Sequence, residues 1–224
     1  MQSGRMTQQP EVWNAAYDND TAPWLIGAPQ PAIVGLEAAG LIRGRVLDPG
    51  CGGGEHTILL TGLGYDVLGV DLSPSAVAYA RRNAAEKGVP QARFQAADML
   101  RIGTDPEAAA ALGHFDTIVD SALFHVFLDD PAGRTAYVDA LHTLAVPGGV
   151  VHVLALSNAA PGFGPRISDT LIRESFTTGW DIEDLRPASY RGRAGVPPAG
   201  TAELPVAADG TVEGAAWLAR IRRL

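Results

Sequence analysis

VLDPGCGGGEHT, residues 46–57, decides how this chain is read. Val46 and Leu47 close a short apolar run, Asp48 follows, and glycine then stands at 50, 52, 53 and 54. An apolar run that breaks into glycines and resumes as EHTILLTGLG predicts a strand, a tight loop and a helix. In open α/β sheets such a loop, at the carboxyl end of a strand, is where ligands bind. Two phosphate-binding patterns fail on inspection. A G-x-G-x-x-G fingerprint started at Gly50 meets Glu55 in its third glycine position, and one started at Gly52 meets Thr57. A phosphate loop needs a neighbouring lysine, and the chain's only lysine is the distant Lys87. What does match is Asp48-x-Gly50-x-Gly52-x-Gly54, a strand-end carboxylate followed by alternate glycines.

Outward from this loop, strand-like and helix-like stretches alternate, the pattern of a doubly wound α/β sheet. YDVLGVDLS is a second strand, followed by a helix that Ser73 caps, Pro74 starts and Gly88 ends. ARFQAADML reads as a third strand. FDTIVDSALFH reads as a fourth, after an Ala-rich insert from Pro106 to Gly113. GRTAYVDALHTLAV is a helix stopped by PGG at 147–149, and VVHVLALSN the fifth strand. Ser168 caps a further helix. WDIEDLRPASYRGR and AAWLARIRRL then form an antiparallel hairpin at a sheet edge, joined by a Pro/Gly-rich connection from Ala194 to Gly214. Residues 1–9 are expected to be disordered.

Three successive strand ends carry an aspartate. At Asp48 a carboxylate repels a pyrophosphate and favours an ammonium group, while the glycines admit an uncharged sugar to the backbone. Asp71 lies 21 residues after Gly50, close to the spacing at which an acidic side chain takes ribose hydroxyls. Asp98 is placed to accept from an adenine amino group, with Met99 offering the ring a soft apolar surface. Strand-end aspartates also cap loops, and glycines also permit turns. Three in register point instead to one ligand with ammonium, ribose and adenine parts: S-adenosylmethionine. Cys51 reads as a packing residue, having no neighbour to activate its thiol.

At this point the chain resembles the class I S-adenosylmethionine-dependent methyltransferases, through VLDPGCGGG, GVDLS, AADML, FDTIVDS and LAVPGG in order over residues 45–157. The resemblance implies a Rossmann-like, seven-stranded sheet that is mostly parallel. It implies that Asp48, Gly50 and Gly52 lie by the methionine part, Asp71 and Leu72 by the ribose, and Asp98 and Met99 by the adenine. The spacing of the N-terminal segment resembles the thiopurine S-methyltransferase-like group, and PWLIGAPQP and IVDSALFH resemble more closely a bacterial branch acting on nitrogen or oxygen of small aromatic and heterocyclic compounds. Halide or thiol methylation is the alternative within this fold, and a nicotinamide-dependent oxidoreductase the alternative outside it.

The N-terminal stretch holds Trp13, Tyr17 and Trp24, aromatic rings suited to close over a sulfonium and exclude water. Trp13 and Tyr17, four apart, equally suit a packed helix face. Residues 1–44 are read as lid and helix, 45–157 as cofactor core, and 158–224 as the substrate-side helix and hairpin of one domain. On the acceptor side, His125 is the candidate general base, with Asp120 to orient it or to touch the cofactor. Phe124, Phe163 and Arg166 are candidates for contact with the acceptor, together with Trp24 and the 194–214 connection.

Net charge −8 is the wrong sign for a chain that neutralises a nucleic-acid backbone, so the expected partner is a small molecule. One cysteine excludes a disulfide framework and a Cys-rich metal site, and no apolar run is long enough to span a membrane. With no signal-peptide pattern at the N-terminus, a cytoplasmic monomer or homodimer is expected.

Overall fold

A computed structural model of the chain describes residues 9–195 and 204–224. Seven strands form a single sheet in the order β3-β2-β1-β4-β5-β7-β6. β1 (Arg45–Pro49) pairs in parallel with β2 (Asp66–Asp71) and β4 (Phe115–Ser121). β3 (Arg93–Ala96) extends the parallel array beyond β2, and β5 (Ala145–Leu156) extends it beyond β4. β7 (Thr211–Arg223) lies antiparallel between β5 and β6 (Trp180–Arg193). The Rossmann-like arrangement with a C-terminal antiparallel hairpin is the one the sequence predicts.

Strand order reverses between β1 and β4, so the connections leaving these strands diverge and open a crevice at their carboxyl ends. Successive strand residues feed opposite cores, as a period of two requires. Leu47, Ile118 and Val153 join one cluster with Tyr137, Leu141 and Leu144 of α7 (Pro131–Leu144) and Ile172 of α8 (Asp169–Ser175). Their neighbours Val46, Val119 and Leu154 join another with Ile33 and Leu36 of α2 (Pro31–Ala38) and Leu60 of α3 (Glu55–Gly62).

The predicted caps hold. Ser73 accepts from Ala76 N at the start of α4 (Pro74–Glu86), and Ser168 accepts from Leu171 N at α8. Several boundaries differ from the sequence reading. β3 stops at Ala96, because Asp98 accepts from Leu100 N and starts a short helix, α5 (Met99–Ile102). The Ala-rich insert is α6 (Pro106–Leu112), capped by Asp105. α7 ends at Leu144, so Ala145 and Val146 already belong to β5. β7 begins at Thr211, inside the stretch read as connection. Residues 1–8 and 196–203 lie outside the described part, and the expectations placed on them with it. No helix among the described residues is long and apolar enough to cross a membrane.

Candidate functional site

The crevice is a cavity of about 480 Å³ at the carboxyl ends of β1, β2, β4 and β5. Its floor is the glycine loop. Gly50 and Gly52 have φ of +68° and +55°, the left-handed region that suits glycine. A Cβ at Gly52 would stand 2.9 Å from the Tyr17 hydroxyl, and one at Gly50 would stand 3.1 Å from Leu123. Side chains there would press on Tyr17 and Leu123, so the glycines let these neighbours pack directly onto the loop.

Asp71 and Asp98 line the cavity next to Leu72 and Met99. Asp71 is held from both sides, Oδ2 accepting from Gly52 N at 3.0 Å and Oδ1 from Ser73 N at 2.9 Å. Burial pushes its carboxyl upward, and these two amides oppose the shift. Asp98 spends Oδ1 on Leu100 N at 2.9 Å. Ser121, at the end of β4, also lines the cavity, and its buried Oγ has no hydrogen-bond partner among the described residues. The next residue, Ala122, has φ +74°, a strain of about 1–2 kcal/mol for a side chain with a Cβ, located against the cavity.

Over this floor lies the N-terminal segment. Trp13 and Tyr17 sit on α1 (Pro10–Asp18), and both line the cavity, as does Trp24. Trp13 meets Trp24 edge-on with ring centroids 5.6 Å apart, and Trp24 Nε1 donates to the Tyr17 hydroxyl at 2.7 Å. The packed face and the ligand-facing surface are therefore the same residues. The segment is fastened at several points. Asn14 Oδ1 accepts from Ser73 Oγ at 2.6 Å, and Pro23 O accepts from Arg193 N at 2.7 Å. Gln30 exchanges two 2.8 Å bonds with the backbone of Arg191, which binds the segment to β6.

Other predicted residues lie elsewhere. Asp48 is absent from the cavity lining and is 1% exposed. Its Oδ2 accepts from Thr57 N at 3.2 Å and Thr57 Oγ1 at 2.7 Å. The strand-end carboxylate thus secures the first turn of α3 rather than facing the cavity. Asp120, 0% exposed, points into the core, where Oδ1 accepts from Leu123 N at 2.9 Å. Its Oδ2 accepts from Phe124 N at 3.0 Å and the Tyr137 hydroxyl at 2.9 Å. No hydrogen bond joins Asp120 to His125 among the described residues, so it does not orient that ring. Phe124 packs on Phe176 in the core, centroids 5.5 Å apart, and does not reach the cavity. Arg166 donates to Ala160 O at 2.8 Å, away from the lining, because its own loop claims the guanidinium.

His125 and Phe163 do line the cavity. His125 is carried on a 3-10 turn, Phe124–Phe127, and its Nδ1 accepts from Leu156 N at 3.0 Å. Phe163 packs on Tyr190, centroids 6.3 Å apart, and Leu156 and Val126 stand with them on the wall. Sequence reasoning missed His56, Gln30 and Tyr190, which share this wall. His56, next to the glycine loop, was the one with a local signal. Its Nε2 accepts from Gln30 N at 3.1 Å. Burial brings both His56 and His125 down to about 4. Cys51 also touches the cavity, and burial raises its thiol well above the usual range, the inert state expected of it.

Asp48 carries a testable consequence. Burial pushes its carboxyl up to about 7, against an unfolded value of about 3.9. A folded pKa above the unfolded one means that the protonated form is favoured by folding. The contribution is complete below about pH 4 and is lost as pH rises through 7. Asp48→Asn has no such proton to lose. In urea unfolding from pH 4 to pH 8, the stability difference should move in the variant's favour by on the order of 3–4 kcal/mol. A pH-independent difference contradicts the assignment.

Comparison with known proteins bears on this geometry. The methyltransferase domain family matches residues 46–149. A 2-heptyl-1-hydroxyquinolin-4(1H)-one methyltransferase of Mycobacteroides abscessus is 34% identical over 210 residues, covering 90% of this chain and 88% of that protein. A structure described as the conversion of a disulfide bond into a thioacetal group during echinomycin biosynthesis superposes with TM-score 0.78 at 37% identity. That match covers 96% of this chain and 93% of the other. An S-adenosylmethionine-dependent methyltransferase from Anabaena variabilis shares the fold, with TM-score 0.70 and 19% identity over 100% of this chain and 96% of its own.

Proposed function

The chain belongs to the class I S-adenosylmethionine-dependent methyltransferases, and we propose that it methylates oxygen or nitrogen of a small, flat heterocycle such as an N-hydroxylated quinolone. The observation that carries this reading is the aromatic and apolar share of the cavity lining. Beside the glycine loop, Asp71 and polar groups that include Gln30, His56 and His125, the lining holds Trp24, Leu156, Phe163 and Tyr190, a large aromatic and apolar surface. A planar ring buries that surface, whereas a halide ion or a small thiol leaves most of it unfilled. The 34% identical quinolone methyltransferase supports the same class of acceptor.

The residues present fit the cofactor. The glycine loop lining the cavity, the Ser121 Oγ without a partner among the described residues, and the carboxylates of Asp71 at the end of β2 and Asp98 at the start of α5 suit a ligand with ammonium, ribose and adenine parts. We assign Asp71 to the ribose hydroxyls, Asp98 with Met99 to the adenine, and Ser121 with the amides of the glycine loop to the amino-acid end. S-adenosylmethionine, when bound, presents a sulfonium methyl carbon for in-line attack by an acceptor lone pair, the C–S bond breaking as the new bond forms. Trp13, Tyr17 and Trp24 contribute by excluding water and by offering ring faces to the positive charge. Alignment of two partners in a dry slot supplies the rate, since such holding alone is worth about 7–11 kcal/mol of barrier in favourable cases.

The same reading describes one domain over residues 1–224, acting in the cytoplasm as a monomer or homodimer on small molecules rather than nucleic acid. The net charge of −8 supports the last point. The test is a panel of acceptors with labelled cofactor: an N-hydroxyquinolone, an acidic phenol, a ring-nitrogen heterocycle, a thiol and iodide. Turnover of the first three classes is expected, and turnover of thiol or iodide alone overturns the proposal.

A further inference from the structure

The wall that faces the acceptor carries an imidazole whose proton position is fixed by the fold. Leu156 N donates to His125 Nδ1 at 3.0 Å. A backbone amide can only donate, so the nitrogen it meets is unprotonated and its lone pair is occupied. A neutral imidazole then carries its proton on Nε2. The Nδ1 edge of the ring is turned to β5, which leaves the Nε2–H edge for the cavity that His125 lines. Turning the ring over would strand a buried strand amide. Asp120, five residues before this histidine, is committed to Leu123, Phe124 and Tyr137.

Resting on the methyltransferase reading above, we propose that His125 meets the acceptor as a hydrogen-bond donor through Nε2–H and takes no proton from it. The ring stays neutral because burial holds it near 4. An Nε2–H donor selects acceptors that present an oxygen or nitrogen lone pair beside the methylated atom, such as a ring carbonyl next to an ionised hydroxyl. The hydroxyl proton leaves to bulk water before the acceptor enters. Hydroxyl groups acidic enough to ionise near neutral pH, as N-hydroxy heterocycles and vinylogous acids are, therefore become substrates, and unactivated alcohols do not. His56 repeats the device in mirror form. Gln30 N occupies its Nε2, so its proton lies on Nδ1.

Nitrogen NMR of the full-length protein labelled in its histidines, assigned by correlation to the backbone, reads the ring directly. The expected result is a protonated Nε2 and an unprotonated Nδ1 at His125, unchanged between pH 5.5 and pH 8. A proton on Nδ1, or a titration within that range, overturns the proposal. This readout needs no substrate, so it stands apart from the acceptor panel. Kinetics supply the second arm. His125→Gln keeps an N–H donor at a comparable reach and is expected to hold kcat/KM within about 10-fold, while His125→Leu loses about 100-fold. For a donor, the loss in the leucine variant is the same for acceptors of different acidity. A glutamine variant as poor as leucine, with losses that shrink as acceptors become more acidic, is the signature of a base and refutes the donor role.

Discussion

Asp71→Ala is expected to weaken binding of S-adenosylhomocysteine by about 100-fold or more in calorimetric titration, without unfolding the protein. Two losses combine. The carboxylate is the group assigned to the ribose hydroxyls, and hydrogen bonds to a charged acceptor contribute about 1.5–3 kcal/mol each. It also holds Gly52 N at 3.0 Å and Ser73 N at 2.9 Å, so its removal frees the glycine loop as well as the ligand. Asp71→Asn separates the two effects. An amide oxygen can still accept from one of these backbone groups, so the asparagine variant should bind better than alanine and worse than the parent. Equal affinity for the parent and the alanine variant would remove Asp71 from the site.

Asp120→Ala is expected to lower unfolding stability by about 3–5 kcal/mol in urea titration, a loss out of scale with a surface aspartate. The carboxylate is completely buried and terminates three donors: the amides of Leu123 and Phe124 and the hydroxyl of Tyr137. Alanine leaves the Phe124 amide and the Tyr137 hydroxyl without this partner inside the core and frees the part-buried Leu123 amide. Burial raises this carboxyl to about 6, which records the cost of keeping it there. Tyr137→Phe removes one donor together with its bond and should cost about 1 kcal/mol. Because the 3-10 turn that carries His125 hangs on these bonds, activity in the alanine variant should fall even at temperatures where it remains folded. A stability change below 1 kcal/mol would show that the turn is held by its packing alone.

The extent to which the chain declares itself follows from which forces are local. Caps at Ser73 and Ser168, prolines at helix starts, and apolar strands broken by glycine are short-range signals, and each marks the element it announced. Asp71 and Asp98 were legible because each stands where the chain leaves the sheet, one as the last residue of β2 and the other as the cap of α5. Asp48 and Asp120 each stand one residue before the end of a strand, and both turn inward, one to Thr57 and the other to Tyr137. No spacing rule distinguishes these cases, since the deciding partner lies 9 residues away for Asp48 and 17 for Asp120. The wall opposite the loop was the least legible. Tyr190 and Gln30 come together through a bond between residues 161 apart in the chain, where a single sequence offers no periodicity to follow.

The long outer strand has a bearing on how the protein behaves in concentrated solution. β6 runs for 14 residues along one border of the sheet, the length at which exposed amides and carbonyls invite a second molecule to add a strand. Its sequence discourages that addition. Pro187 removes an amide from the middle of the border, the register shifts between Ile182 and Asp184, and Asp181, Glu183, Arg186, Arg191 and Arg193 place charges along it. At the opposite border β3 offers only 4 residues. Both margins therefore resist fibrillar growth, and a sheet built around a ligand crevice stays finite.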